Sequence, residues 1–160
     1  MEREILFKRE ILFRGKAINR DEGYHRTTYK NGDWVYGLLT RPYNERYDLP
    51  AEMTNTLGVS GIEVDCKTIG QFTGYCDESQ HNAFEGDILS YCSGLNYGVI
   101  KYGRYSSPFS IGQDIGFYVE WVSDRDRNIH RKDLGYWLSA GTAEIVGNIH
   151  DNPELLGSYY

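Results

Sequence analysis

The segment Phe84-Glu85-Gly86-Asp87-Ile88-Leu89 sets the tightest limit on what this chain can fold into. Gly86 admits the positive φ that other residues resist, and the Asp87 carboxylate can accept a hydrogen bond from a neighbouring backbone N–H. Ile88 and Leu89 then open an extended apolar run, so the six residues read as a sharp turn feeding a strand. The same grammar recurs along the chain. Lys30-Asn31-Gly32-Asp33 carries the Asn-Gly pair that suits a type I′ hairpin turn, with Tyr29 before it and Trp34 to Leu39 after it as the paired strands. Apolar alternation predicts strands over Asp87 to Tyr91, Gly98 to Tyr102, Gly116 to Val122 and Thr142 to Ile149, and another around Gly61-Ile62-Glu63-Val64. Leu134 to Ala140 reads as a short strand, Arg41 to Leu57 (with Pro42 and Pro50) as an extended loop, and Ser123 to Asp133 as a charged loop. Eighteen glycines against four prolines, with fourteen tyrosines, favour this strand-and-turn reading over a helical one.

The two ends are distinctive. Arg3-Glu4-Ile5-Leu6-Phe7-Lys8 is followed at once by Arg9-Glu10-Ile11-Leu12-Phe13-Arg14, a tandem copy with one conservative change. A six-residue shift preserves facing in a strand but rotates a helix by about 120°, so the repeat reads as strand, with Ile5, Phe7, Ile11 and Phe13 on one face. At the other end, Asp151 or Asn152 can cap a short helix that begins at Pro153, places Glu154 in its first turn and stops at Gly157. Leu155 and Leu156 would fold back on the sheet.

Four blocks stand in a fixed order: Ile11-Leu12-Phe13-Arg14-Gly15-Lys16, then Gly32-Asp33-Trp34-Val35-Tyr36-Gly37, then Thr68-Ile69-Gly70-Gln71-Phe72-Thr73-Gly74 leading into Phe84 to Leu89, and last Ile145 to Leu156. From about Arg9 to Leu156 the chain resembles the YopX family of bacteriophage and prophage proteins. That resemblance implies an all-β fold, a small, strongly bent SH3-like barrel with loop insertions and a short C-terminal helix. It implies a single domain over residues 9–160, with residues 1–8 as an N-terminal extension. It also implies a phage or prophage gene expressed in a bacterial host. It assigns no activity.

The chemistry points the same way. No phosphate loop, G-x-S-x-G elbow or metal-ligand spacing is present, and Cys66, Cys76 and Cys92 form no C-x-x-C pair, so no catalytic residue, metal or cofactor is expected and the thiols are expected free. The Glu85/Asp87 pair reads as a solvated strand edge. No apolar run reaches the length of a membrane span and the start does not read as a signal peptide, which makes a cytoplasmic location the expectation. Charge is uneven. Residues 1–30 hold eight Lys/Arg against five Asp/Glu, while the rest hold nine against eighteen, giving the net −6. The expected role is therefore a non-enzymatic accessory protein working through protein–protein contact, with another copy of itself or with a phage or host protein. Tyr91, Tyr97, Tyr102 and Tyr118 are the candidate contact surface. A nucleic-acid-binding accessory protein is the rival reading, with Arg9, Arg14, Lys16, Arg125, Arg127 and Arg131 as its phosphate contacts. A small hydrolase has no motif behind it.

Because the second hexad repeats the facing of the first, removing Glu2 to Lys8 is expected to leave the melting temperature within a few degrees of the full chain. An insoluble or unfolded product would show that the fold requires both copies.

Overall fold

The computed structural model describes residues 10–19, 29–46, 49–91, 94, 96–107, 111–122 and 131–159. Among these residues the protein is all-β with one short α-helix, its strands divided between two antiparallel sheets. Among the described residues neither sheet closes into a barrel. The chain falls into two compact units, Met1–Gly74 and Tyr75–Tyr160.

In the first unit, β1 (Phe13–Lys16), β2 (Trp34–Arg41), β3 (Ala51–Asn55), β4 (Ile62–Val64) and β5 (Gly70–Cys76) pair in the order β4-β3-β2-β1-β5. β5 runs past the boundary, and β6 (Asn82–Phe84) follows it in the sheet order. Pairing Phe13 with Gly37 and Gly15 with Val35 sends one face of β1 and β2 inward. There Ala17, Val35, Ala51, Met53, Ile62 and Val64 form the core, with Phe13, Tyr29 and Leu39 against them.

Four readings of this unit are corrected. The turn at Lys30–Asp33 is real, closed by Asp33 N donating to the Lys30 carbonyl at 3.1 Å. However, only Gly32 takes a positive φ, whereas type I′ requires it at both central positions. The strand leaving that turn pairs with β1, not with the segment at Tyr29. Tyr29 packs on the core instead, its hydroxyl accepting from Asn55 Nδ2 at 3.2 Å. The loop expected over Arg41 to Leu57 contains β3, because Ala51, Met53 and Asn55 alternate inward although Ala-Glu-Met-Thr-Asn has little intrinsic strand preference. The strand facing expected of Ile11 and Phe13 also fails. β1 begins only at Phe13, leaving Ile11 exposed and Leu12 buried, its carbonyl accepting from Phe72 N at 2.7 Å. The first hexad lies outside the described residues.

In the second unit, β7 (Asp87–Tyr91), β8 (Asn96–Tyr105), β9 (Asp114–Trp121) and β10 (Ala143–Asn148) pair in the order β10-β7-β8-β9. β7 is central and covered on both faces. Leu89, Ile100 and Val119 meet Leu134, Trp137 and Leu138 on one side, while Ile88 and Val99 meet Leu156 on the other. The segment read as a strand at Leu134 is the helix α1 (Leu134–Ser139). Its buried residues fall at i, i+3 and i+4, a helical stripe that six residues barely display in a sequence. Tyr91, Trp121 and Trp137 pack edge to face with ring centroids 4.7–6.2 Å apart.

The turn before β7 forms as its residues dictate. Phe84 N donates to Asp87 Oδ2 at 2.7 Å, and Gly86 takes φ 85. Asp87 is 2% exposed, so the Glu85/Asp87 pair is not a solvated edge. The C-terminal element is a 3₁₀ segment, Pro153–Tyr159, interrupted at Gly157. Asn148 organises its approach, its Oδ1 accepting from His150 N and Asp151 N at 3.0 Å each. Leu156 is buried as expected. Truncation to Ala at Leu156 is expected to cost about 2–4 kcal/mol in denaturant unfolding, the usual range for a buried leucine. A loss within experimental error would mean that the segment is not part of the second core.

Candidate functional site

The turn between β5 and β6 is built by one aspartate. Asp77 is 4% exposed, and its oxygens accept from His81 N at 2.9 Å, contact His81 Nδ1 at 3.1 Å and accept from Ile145 N at 3.3 Å. The turn closes as Asp77 N donates to the His81 carbonyl and Gln80 N to the Asp77 carbonyl. Gln80 is held at φ 65, a conformation costing a non-glycine residue on the order of 1 kcal/mol, which the Asp77 bonds offset. Burial alone would push the Asp77 carboxyl up. Its hydrogen bonds to His81 and Ile145 outweigh that, and the group sits below its ordinary range.

Beside this turn opens a cleft of about 360 Å³. Asp77, Glu78 and Ser79 line one part of it, Ser90 and Tyr91 of β7 another, and Gly141 to Glu144 the rest. Ser90 and Glu144 are direct cross-strand partners, so they share a face of the sheet. Gly141, at φ 60, leaves its side-chain position to Glu78. A Cβ there would lie 1.8 Å from Glu78 Oε1. The lining carries three carboxylates and no Lys or Arg. Among the described residues no His, Cys, Asp or Glu group has the arrangement of a metal site, and Cys66 and Cys76 are free thiols. Such a cleft can hold an organic cation. Its residues come from three separated segments, and only the spacing of Asp77 to His81 signals any of it in the sequence.

The candidate contact tyrosines do not share one surface. Tyr91 packs half-buried on Trp121 and Trp137, and Tyr97 packs half-buried on the Ile88–Val99–Leu156 core. Tyr118 is stacked on Tyr105 at 5.4 Å. Tyr102 alone of the four is mostly exposed, edge-on to Phe117 at 5.1 Å and next to the exposed Ile115. Pairings of Tyr102 with Phe117 and Arg104 with Ile115 place these residues on one face of the long β8–β9 ribbon.

Of the candidate phosphate contacts, Arg9, Arg125 and Arg127 lie outside the described residues. Arg14 is buried, its guanidinium 4.8 Å from the Trp34 ring centre, and Lys16 Nζ lies 5.3 Å from the same ring. Arg131 is engaged locally. Its guanidinium covers the Tyr136 ring at 3.9 Å, its Nε donates to Asp133 at 3.2 Å, and its carbonyl accepts from Trp137 Nε1 at 2.9 Å.

These features define an all-β protein of two antiparallel sheets with separate cores, a polar cleft at one sheet edge and an apolar ribbon tip at the other. The YopX protein family model matches residues 13–157, and the chain belongs to that family. No curated protein matches the sequence at significance.

Because the folded-state pKa of Asp77 lies below its unfolded value near 3.8, its contribution is fully present above that value and is lost as pH falls through the folded one. Asp77→Asn is therefore expected to lower stability by about 2 kcal/mol at neutral pH, the scale of a charge-assisted hydrogen bond. The gap from wild type should narrow below about pH 4. Denaturant titrations at several pH values measure it, and a gap independent of pH would refute the assignment.

Proposed function

We propose that this is a phage- or prophage-encoded accessory protein of the bacterial cytoplasm that acts by protein–protein contact rather than by catalysis, and that its first partner is a second copy of itself. One observation carries the reading. β9 is an edge of its sheet, and its stretch Ile115 to Phe117 has β8 on one side and no strand on the other among the described residues. The second half is covered, with Tyr118 bridged to Asp133 and Val119 N donating to the Lys132 carbonyl at 2.9 Å. Ile115 and Tyr102 are 64% and 56% exposed beside the open half.

An open edge next to exposed apolar residues favours strand pairing. Two copies joined about a two-fold axis would pair β9 with β9 and merge the two apolar rows into one buried strip. The charge split also favours association between copies, since the first thirty residues are net basic and the remainder is strongly acidic. Among the described residues no helix is long and apolar enough to cross a membrane.

A second reading, nucleic-acid binding, draws support from Lys16 beside Trp34, on the face of β2 where Tyr36 is exposed. Light scattering after size-exclusion chromatography at tens of micromolar separates the two. Self-association predicts a mass of twice 18.4 kDa that reverts to 18.4 kDa in Ile115→Glu. A wild-type monomer, or a dimer indifferent to Ile115→Glu, would defeat the proposal. Sub-micromolar binding to an oligonucleotide at physiological salt would favour the second reading instead.

A further inference from the structure

The cleft beside Asp77 is more than an acidic patch, because a largely buried serine lines it with a hydroxyl that has no hydrogen-bond partner among the described residues. Ser90 is 4% exposed and lines the cleft, yet its side chain makes no hydrogen bond among the described residues. Its oxygen is not sealed from solvent, so a donor entering the cleft can reach it. Its cross-strand neighbour Glu144 and the opposing Glu78 likewise make no ion pair among the described residues. Glu78 is kept at the wall by the bare Cα of Gly141, whose side-chain position its carboxylate fills.

We propose that this cleft binds an ammonium or guanidinium group, the charged end of a lysine or arginine side chain or of a free polyamine. Such a group brings several donors and no acceptor, matching a lining of carboxylates and a hydroxyl that can accept. The volume of about 360 Å³ admits the aliphatic stem of such a side chain behind its charged head. A compact divalent cation fits less well, since the cleft residues are not arranged as a metal site. Asp77 would set the field from below, its own lone pairs already committed to His81 and Ile145. The cleft lies by β10 and the apolar strip by β9, opposite edges of one sheet, so binding here and self-association are separable.

The test is an amide chemical-shift titration of the full-length ¹⁵N-labelled protein with N-acetyl-lysine methylamide, N-acetyl-arginine methylamide and spermidine, against magnesium chloride at matched ionic strength. The expected result is saturable shifts at Glu78, Ser90, Gly141 and Glu144, with Kd on the order of 1 mM for the amino-acid derivatives. Ser90→Ala and the pair Glu78→Gln/Glu144→Gln should each weaken binding about fivefold while leaving the remaining spectrum and the melting temperature unchanged. Binding of spermidine about tenfold tighter than the amino-acid derivatives would identify free polyamines as the source, and the reverse order a protein side chain. Shifts that rise linearly without saturation, that ignore both variants, or that magnesium reproduces at the same amides would overturn the proposal.

Discussion

The second unit depends on one buried carboxylate. Asp87 is 2% exposed, and a polar group so buried is tolerated only if it is hydrogen-bonded. It accepts from Phe84 N, which fixes the turn, and the turn in turn fixes three strands. Gly86 N donates to the Ile100 carbonyl of β8, and Ile149 N, just past β10, donates to the Gly86 carbonyl. β7 therefore leaves the turn already registered between its two neighbours. That position in the sheet buries both of its faces, so Ile88 and Leu89, adjacent in sequence, belong to different hydrophobic cores.

β10 and β9 are the two edges of that sheet, and the cleft and the exposed apolar residues lie on them. Sheet interiors satisfy their own backbone groups, and edges do not. At β10 the edge is met by a side chain, Asp77, which accepts from Ile145 N and thereby anchors the turn that walls the cleft. At β9 the second half is met by Lys132 and Asp133. One edge thus borders a polar recess, and the other carries the exposed Ile115 beside it. The difference follows from what the chain supplies next to each edge.

Much of the local structure was legible in the sequence because local energies reside in a few adjacent residues. The Gly86–Asp87 turn, the strands β4, β7, β8, β9 and β10, and the inward Leu156 follow from turn chemistry and alternation. The misreadings have definite causes. β3 was hidden because Met53 and its neighbours have weak strand preference and acquire their place from pairing with β2 and β4. α1 was hidden because six residues carry less than two full helical turns of pattern. β10 carries a register shift between Ile145 and Gly147, which breaks the simple alternation through Ile149 and turns Asn148 inward.

The sequence by itself determined the all-β character, the position of the sharp turns, the family and the chemistry of each turn, since each of these depends on residues that are neighbours along the chain. Tertiary structure alone decided which strand β2 would pair with, which tyrosines would be covered, and that Asp77, Ser90 and Glu144 would border one cleft. Those outcomes depend on contacts between segments far apart in the chain. Their free energy comes from burying surface that no single segment possesses, and alternation can say that a residue faces inward without saying what it will meet.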